Sequence, residues 1–228
     1  MNFIKEIFNI FYPEICLCCK DQLTTNEKIV CIKCRHELPT TNFTGEKNNL
    51  IEKIFYGRVR IKEATSLFYF LKKGTIQQLI YELKYNNQQQ VGNFIGAWLA
   101  EEILASKRFK TIDCIIPVPL HKKKLKKRGY NQVTIFGKIL AKKLNIPFYE
   151  NVLIKTTATK TQTKKLRLDR WKNAEHQFKI QNVEVIENKH ILVIDDIITT
   201  GATLEACILS LNTAQNSTIS IATMAYTK

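Results

Sequence analysis

The 228-residue sequence has no internal repeat, no low-complexity tract and no apolar run long enough to cross a bilayer. The first two absences set aside repeat arrays and disordered chains, since 45% of the residues are hydrophobic and can build an ordinary core. The third leaves no candidate transmembrane segment. No secretion signal is expected either. In MNFIKEIFNIFYPEIC, Lys5 and Glu6 interrupt the apolar residues and no small-residue cleavage site follows. Phe3, Ile4, Ile7, Phe8 and Phe11 recur at helical spacing, which predicts a short helix packed on the domain. The expected location is cytoplasmic. The seven cysteines are an odd number, which, with no secretion signal expected, argues against a disulfide framework.

Acidic residues are scarce in one region. The net charge is +15, and from Val118 to Asn173 there are 16 Lys or Arg against only Glu150 and Asp169. A concentrated basic surface points to a polyanionic partner: nucleic acid, a polyphosphate substrate or an anionic membrane.

Five cysteines crowd between residues 16 and 34. Cys16-x-x-Cys19 and Cys31-x-x-Cys34 form two CxxC pairs, and each pair can wrap one side of a tetrahedral ion. Four thiolates leave no open coordination position, so the predicted Zn²⁺ is structural. It would organise a segment too small to bury its own core. Cys18 is a spare and can replace Cys16 if the first knuckle is shifted. A redox CxxC is disfavoured because no βαβ pattern surrounds it. The chain turns polar around Gly45 to Lys53, which sets the expected division between a metal-binding module at 1–45 and a larger domain at 46–228.

Beyond that point strands alternate with helices. Strands are predicted at Ala64–Leu71, Thr111–Pro119, His176–Ile180, His190–Asp195 and Thr218–Ala225. Helices are predicted at Ile76–Tyr85, Asn93–Ala105, Asn131–Leu144 and Ala202–Ala214. Such alternation means an open, mostly parallel α/β sheet. Cys114 and Cys207 fall on a strand and a helix and are expected in the core.

The stretch ILVIDDIITTGATL, from Ile191 to Leu204, runs from buried strand into two acids and then a small-residue loop. In open α/β sheets ligands bind beyond the carboxyl ends of strands. Backbone N–H groups of Thr199, Thr200, Gly201, Ala202 and Thr203 at a helix N-terminus suit an anion. Asp195 and Asp196 cannot bind phosphate themselves. They can accept hydrogen bonds from vicinal hydroxyls, or meet Mg²⁺ through water. A sugar phosphate satisfies both halves.

VIDDIITTGAT resembles the 5-phosphoribosyl-1-pyrophosphate (PRPP) motif of type I phosphoribosyltransferases. IIPVPLHKKKLKKRGYNQ (Ile115 to Gln132) resembles the strand and pyrophosphate loop of ComF-type proteins. KTQTKKLRLDRWKNAEHQF (Lys160 to Phe178) is similar to the flexible segment that precedes the PRPP motif in these families, and the double CxxC matches the ComF addition. Four motifs in the same order, over nearly the whole chain, identify a member of the ComF family. The resemblance implies a type I phosphoribosyltransferase-like fold and a link to DNA uptake in natural competence. It implies that Asp195 and Asp196 hold ribose hydroxyls, that Thr199 to Thr203 cradle the 5-phosphate, and that Val118, Pro119 and Leu120, with Arg128, face pyrophosphate. Gln162, Lys164, Lys165, Arg167 and Arg170 would form a closing flap. Lys84, in ELKY, matches a recurrent family lysine, and His121 is a candidate for proton transfer. An amidotransferase is not expected, because residue 2 is Asn2 rather than cysteine and the sequence offers no glutaminase half.

Two functions remain open at this level. One is a PRPP-dependent transferase with an unidentified acceptor. The other is a binding protein that keeps a PRPP or nucleotide pocket and contacts single-stranded DNA or uptake proteins. The missing Ser–His or Cys–His pair does not decide between them, since phosphoribosyl transfer needs no covalent nucleophile.

Overall fold

The fold is described from a computed structural model, over residues 13–156 and 177–227. Its centre is a four-stranded sheet of β1 (Ala64–Tyr69), β2 (Cys114–Pro117), β5 (His190–Ile198) and β6 (Thr218–Tyr226), in the order β1-β6-β5-β2. Every pairing is parallel. A parallel strand is covered on both faces, so a continuous apolar run such as HILVI is what β5 requires. Its residues alternate between two cores. Leu192 and Ile194 face a cluster with Leu79, Ile95, Leu99 and Phe136, whereas Ile191 and Val193 face one with Phe55, Leu204, Cys207 and Ile208.

The first cluster is covered by α3 (Thr75–Tyr85), α4 (Gln90–Ala105) and α6 (Gln132–Leu144), the second by α2 (Leu50–Ile54) and α7 (Ala202–Leu211). Helices α4 and α6 approach closely at Gly96, where a Cβ would lie 2.9 Å from the Phe136 carbonyl oxygen. The fold is thus the expected mostly parallel α/β sheet. Cys114 and Cys207 are buried in it.

Besides small shifts at the ends of β1, β2 and α4, three elements depart from the sequence reading. Strand β5 continues through both acids to Ile198, because pairing with β6 persists to Ile198 against Tyr226. HKKKLKKR is not all loop: Lys122–Arg128 form helix α5, capped by His121 and closed by Gly129 at φ +83°. Helix α7 ends at Leu211, where Thr213 and Ala214 fold into turn hydrogen bonds to Ser210 and Leu211. A small antiparallel ribbon of β3 (Leu153–Lys155) and β4 (Phe178–Ile180) completes the strands.

The cysteine-rich segment carries helix α1 (Ile32–His36). It packs on α3 and α4, with Cys16, Leu17 and Val30 in the same core as Leu79 and Ile95. The Arg35 guanidinium sits 5.3 Å from the Trp98 ring centre, and Lys20 pairs with Glu82 at 2.7 Å. The predicted N-terminal helix falls in the first twelve residues and the predicted flap, Gln162 to Arg170, in 157–176. Both lie outside the described residues.

Candidate functional site

Asp195 and Asp196 stand near the carboxyl end of β5, the central strand, and both are buried. One oxygen of each is already used locally: Asp195 Oδ1 accepts the Asp196 N–H and Asp196 Oδ1 accepts the Ile197 N–H, both at 2.8 Å. Asp196 Oδ2 meets the Lys84 ammonium in an ion pair that lacks the alignment of a hydrogen bond. Burial, and then the charge on Asp196, push the Asp195 carboxyl well above its ordinary range, with backbone hydrogen bonding and Lys84 acting against the rise. A ligand that supplies hydrogen-bond donors or positive charge would favour the ionised form of Asp195. Lys84 comes from the last turn of α3.

The loop after the acids leads into α7. Gly201 has φ +74° and caps the helix with no side-chain hydrogen bond. A Cβ there would be strained and would lie 2.8 Å from Ile54 Cγ2 and 3.1 Å from the Phe55 ring. Glycine is required both by the turn and by the close approach of α2. Thr199, Thr200, Ala202 and Thr203 are exposed, and the first N–H groups of a helix have no partner within it. Arg58 fixes this loop from behind. Its Nη1 donates to the Thr200 carbonyl at 2.7 Å and the Ile54 carbonyl at 3.1 Å, and its Nη2 pairs with Glu205 in the first turn of α7.

The segment after β2 borders the same strand end. The Val118 N–H donates to the Ile194 carbonyl at 2.9 Å, one residue before Asp195. The Val118 carbonyl in turn accepts Asn131 Nδ2 at 3.0 Å. Pro119, Leu120 and His121 follow, half-buried. His121 Nδ1 accepts the Lys123 N–H at 3.2 Å, so this nitrogen caps α5. Arg128 turns back, bonding Gln132 and lying 5.6 Å from the Tyr85 ring centre, while the Tyr130 hydroxyl donates to the Leu83 carbonyl. These contacts bring the end of α5 against the end of α3 that carries Lys84.

Arg58 and Lys155 were not singled out in the sequence. Nothing local in YGRVRI distinguishes Arg58, whose partners are remote along the chain. Burial pushes the Lys155 ammonium down, while nearby Cys207 and Asp195 favour its charge.

A separate centre is formed by the Sγ atoms of Cys16, Cys19, Cys31 and Cys34, all within 4.8 Å of one another. Cys16 Sγ accepts N–H groups of Cys31 at 3.3 Å and Cys18 at 3.4 Å, and Cys31 Sγ accepts that of Cys34 at 3.4 Å. Burial opposes ionisation of Cys16. Backbone N–H groups of Cys31, Cys19 and Cys18 outweigh it and bring the thiol down to about 6. Burial and the charge of Cys16 push Cys18 up to about 12. Cys16, not Cys18, therefore belongs to the four. A soft, all-sulfur donor set with N–H groups aimed at the sulfurs fits Zn²⁺. Among the described residues no helix is long and apolar enough to cross a membrane.

The chain is similar to several known proteins. The phosphoribosyl transferase domain family matches residues 133–228. Competence protein F of Haemophilus influenzae is 31% identical over 130 residues, 55% of this chain and 57% of that protein. DNA utilization protein YhgH of Shigella flexneri is 26% identical over 132 residues, 57% of each. The chain spans about half the length of the curated relatives it matches. Among solved structures, glutamine PRPP amidotransferase from B. subtilis, complexed with ADP and GMP, superimposes with a TM-score of 0.41 at 18% identity, covering 62% of this chain and 30% of that one.

Proposed function

The chain belongs to the ComF family of phosphoribosyltransferase-like proteins, and from that premise we propose that its site at the end of β5 binds the ribose 5-phosphate part of PRPP together with Mg²⁺. The observation that carries the reading is the buried Asp195–Asp196 pair, set directly before a loop that glycine and Arg58 hold against α2.

In this reading the carboxylates accept the vicinal ribose hydroxyls, and the N–H groups and hydroxyls of Thr199 to Thr203 receive the 5-phosphate. The backbone of Val118 to Leu120 lines the diphosphate side, with Arg128 adding charge. Gln162, Lys164, Lys165, Arg167 and Arg170, outside the described residues, would add polar and charged groups there. Lys84, paired with Asp196, would turn toward the diphosphate when hydroxyls take over the acids. Hard carboxylate oxygens suit Mg²⁺, which when bound would neutralise charge on the diphosphate. Transfer would break the bond between ribose C1 and the diphosphate oxygen and join C1 to an acceptor, with His121 as the candidate for moving its proton.

The names of the relatives and the six cations of α5 support a second role: contact with single-stranded DNA during DNA uptake, from the cytoplasmic side. The alternative is a PRPP-dependent transferase of nucleotide metabolism with no DNA role. Release of pyrophosphate with a panel of bases, together with DNA binding, separates the two. Calorimetry tests the pocket itself. PRPP with Mg²⁺ is expected to bind, and Asp195→Ala with Asp196→Ala to abolish binding. Unchanged affinity in that variant overturns the assignment.

A further inference from the structure

We propose that the exposed face of α3 is a base-stacking platform for single-stranded nucleic acid, built on Tyr81 and Tyr85. It rests on the reading that the protein contacts single-stranded DNA, and it names the surface that does so. Tyr81 is 50% exposed and Tyr85 65% exposed, on a helix whose other large apolar residues are buried. An i, i+4 spacing sets the two rings side by side, with centres 5.0 Å apart and planes inclined by 46°. Two large aromatic faces in water, one helical turn apart, gain nothing from the core. They offer what unpaired bases stack upon.

The surroundings are basic at both ends. At the C-terminal end the Arg128 guanidinium lies 5.6 Å from the Tyr85 ring centre. Behind it α5 presents Lys122, Lys123, Lys124, Lys126 and Lys127, all exposed, and no acid. Beyond Tyr81, a cleft of about 490 Å³ is lined by Tyr81, Lys20, Lys73 and Cys18, so it runs between α3 and the cysteine module. The acid of this helix, Glu82, is turned away from solvent, where Lys20, Gln78 and Asn86 bond it. A strand laid along α3 thus meets the cations of α5, two rings and then Lys73 over about 16 Å of helix. Charge alone would attract any polyanion. The paired rings select one whose bases are free to stack, which excludes duplex DNA.

The test is fluorescence anisotropy with a labelled oligo-dT strand and with an abasic strand of the same length and charge. The wild-type protein is expected to bind oligo-dT more tightly than the abasic strand. Tyr81→Ala and Tyr85→Ala should each lower oligo-dT affinity by about tenfold and leave the abasic strand unaffected, whereas Tyr81→Phe and Tyr85→Phe should keep wild-type affinity. Because both rings are exposed, the alanine variants should keep the wild-type thermal midpoint. Equal binding of the two strands, or full oligo-dT affinity in the alanine variants, overturns the platform while leaving DNA contact intact. Binding of neither strand by the wild-type protein overturns the DNA reading together with it.

Discussion

Replacing Lys84 by Met removes the positive charge facing the acid pair while keeping most of the apolar stem. The pair is largely withdrawn from water, with the Lys84 side chain 19% exposed and that of Asp196 9%. Breaking a fully buried ion pair costs about 3–5 kcal/mol. Some of that is recovered here, because Lys84 retains solvent and Asp195 already favours its protonated form. The expected loss at pH 8 is about 1–3 kcal/mol, or roughly 2–4 °C in thermal midpoint per kcal/mol for a chain of this size. The pH dependence carries the reasoning. A carboxyl whose folded pKa is raised contributes stability that is present at low pH and lost as pH rises through the folded value. Lys84 works against the rise of Asp195, so its removal should cost less near pH 5 than near pH 8. Thermal or urea unfolding of both proteins across that range measures the gap. A gap that stays constant, or that widens toward acid, refutes this account of the pair.

Gly201→Ala should lose about 1–2 kcal/mol from the left-handed backbone alone, and more from the contact with Ile54, with PRPP affinity falling in calorimetry. Arg58→Ala, at a partly exposed site, should change stability by under about 1 kcal/mol yet weaken PRPP binding, because the Thr200 carbonyl and Glu205 are released together. Metal analysis of the Cys31→Ser, Cys34→Ser variant should fall from one zinc per chain to none. PRPP binding should release protons above the ordinary carboxylate range, since hydroxyl donors favour the ionised form of Asp195. Calorimetry in buffers of different ionisation enthalpy reads this directly, and proton uptake would contradict it.

Much of the scaffold was legible because its elements carry strong periodicity. HILVI reads as buried strand, and IQQLIYELKY places Leu79, Ile80 and Leu83 on one face, which is the face that packs. Helix α5 was not legible: KKKLKKR has no apolar stripe, and its ends are set by the His121 cap and Gly129. The end of β5 was misplaced because carboxylates look like a strand terminus, whereas β6 continues to pair beyond them. Lys84 was suggested by resemblance, but its partner was not, since the ion pair joins α3 to β5 across a long stretch of chain. Arg58 was missed for the same reason. The choice between Cys16 and Cys18 needed three dimensions, because both precede Cys19 closely enough to serve.

The central claim is that the acid pair addresses the sugar and the loop its phosphate. Calorimetry with ribose 5-phosphate against 2-deoxyribose 5-phosphate tests it most directly. A site built to accept the hydroxyls should bind the deoxy sugar at least about tenfold more weakly, with the difference lost in Asp195→Ala, Asp196→Ala. Equal affinity for the two sugar phosphates in the wild-type protein would contradict the account.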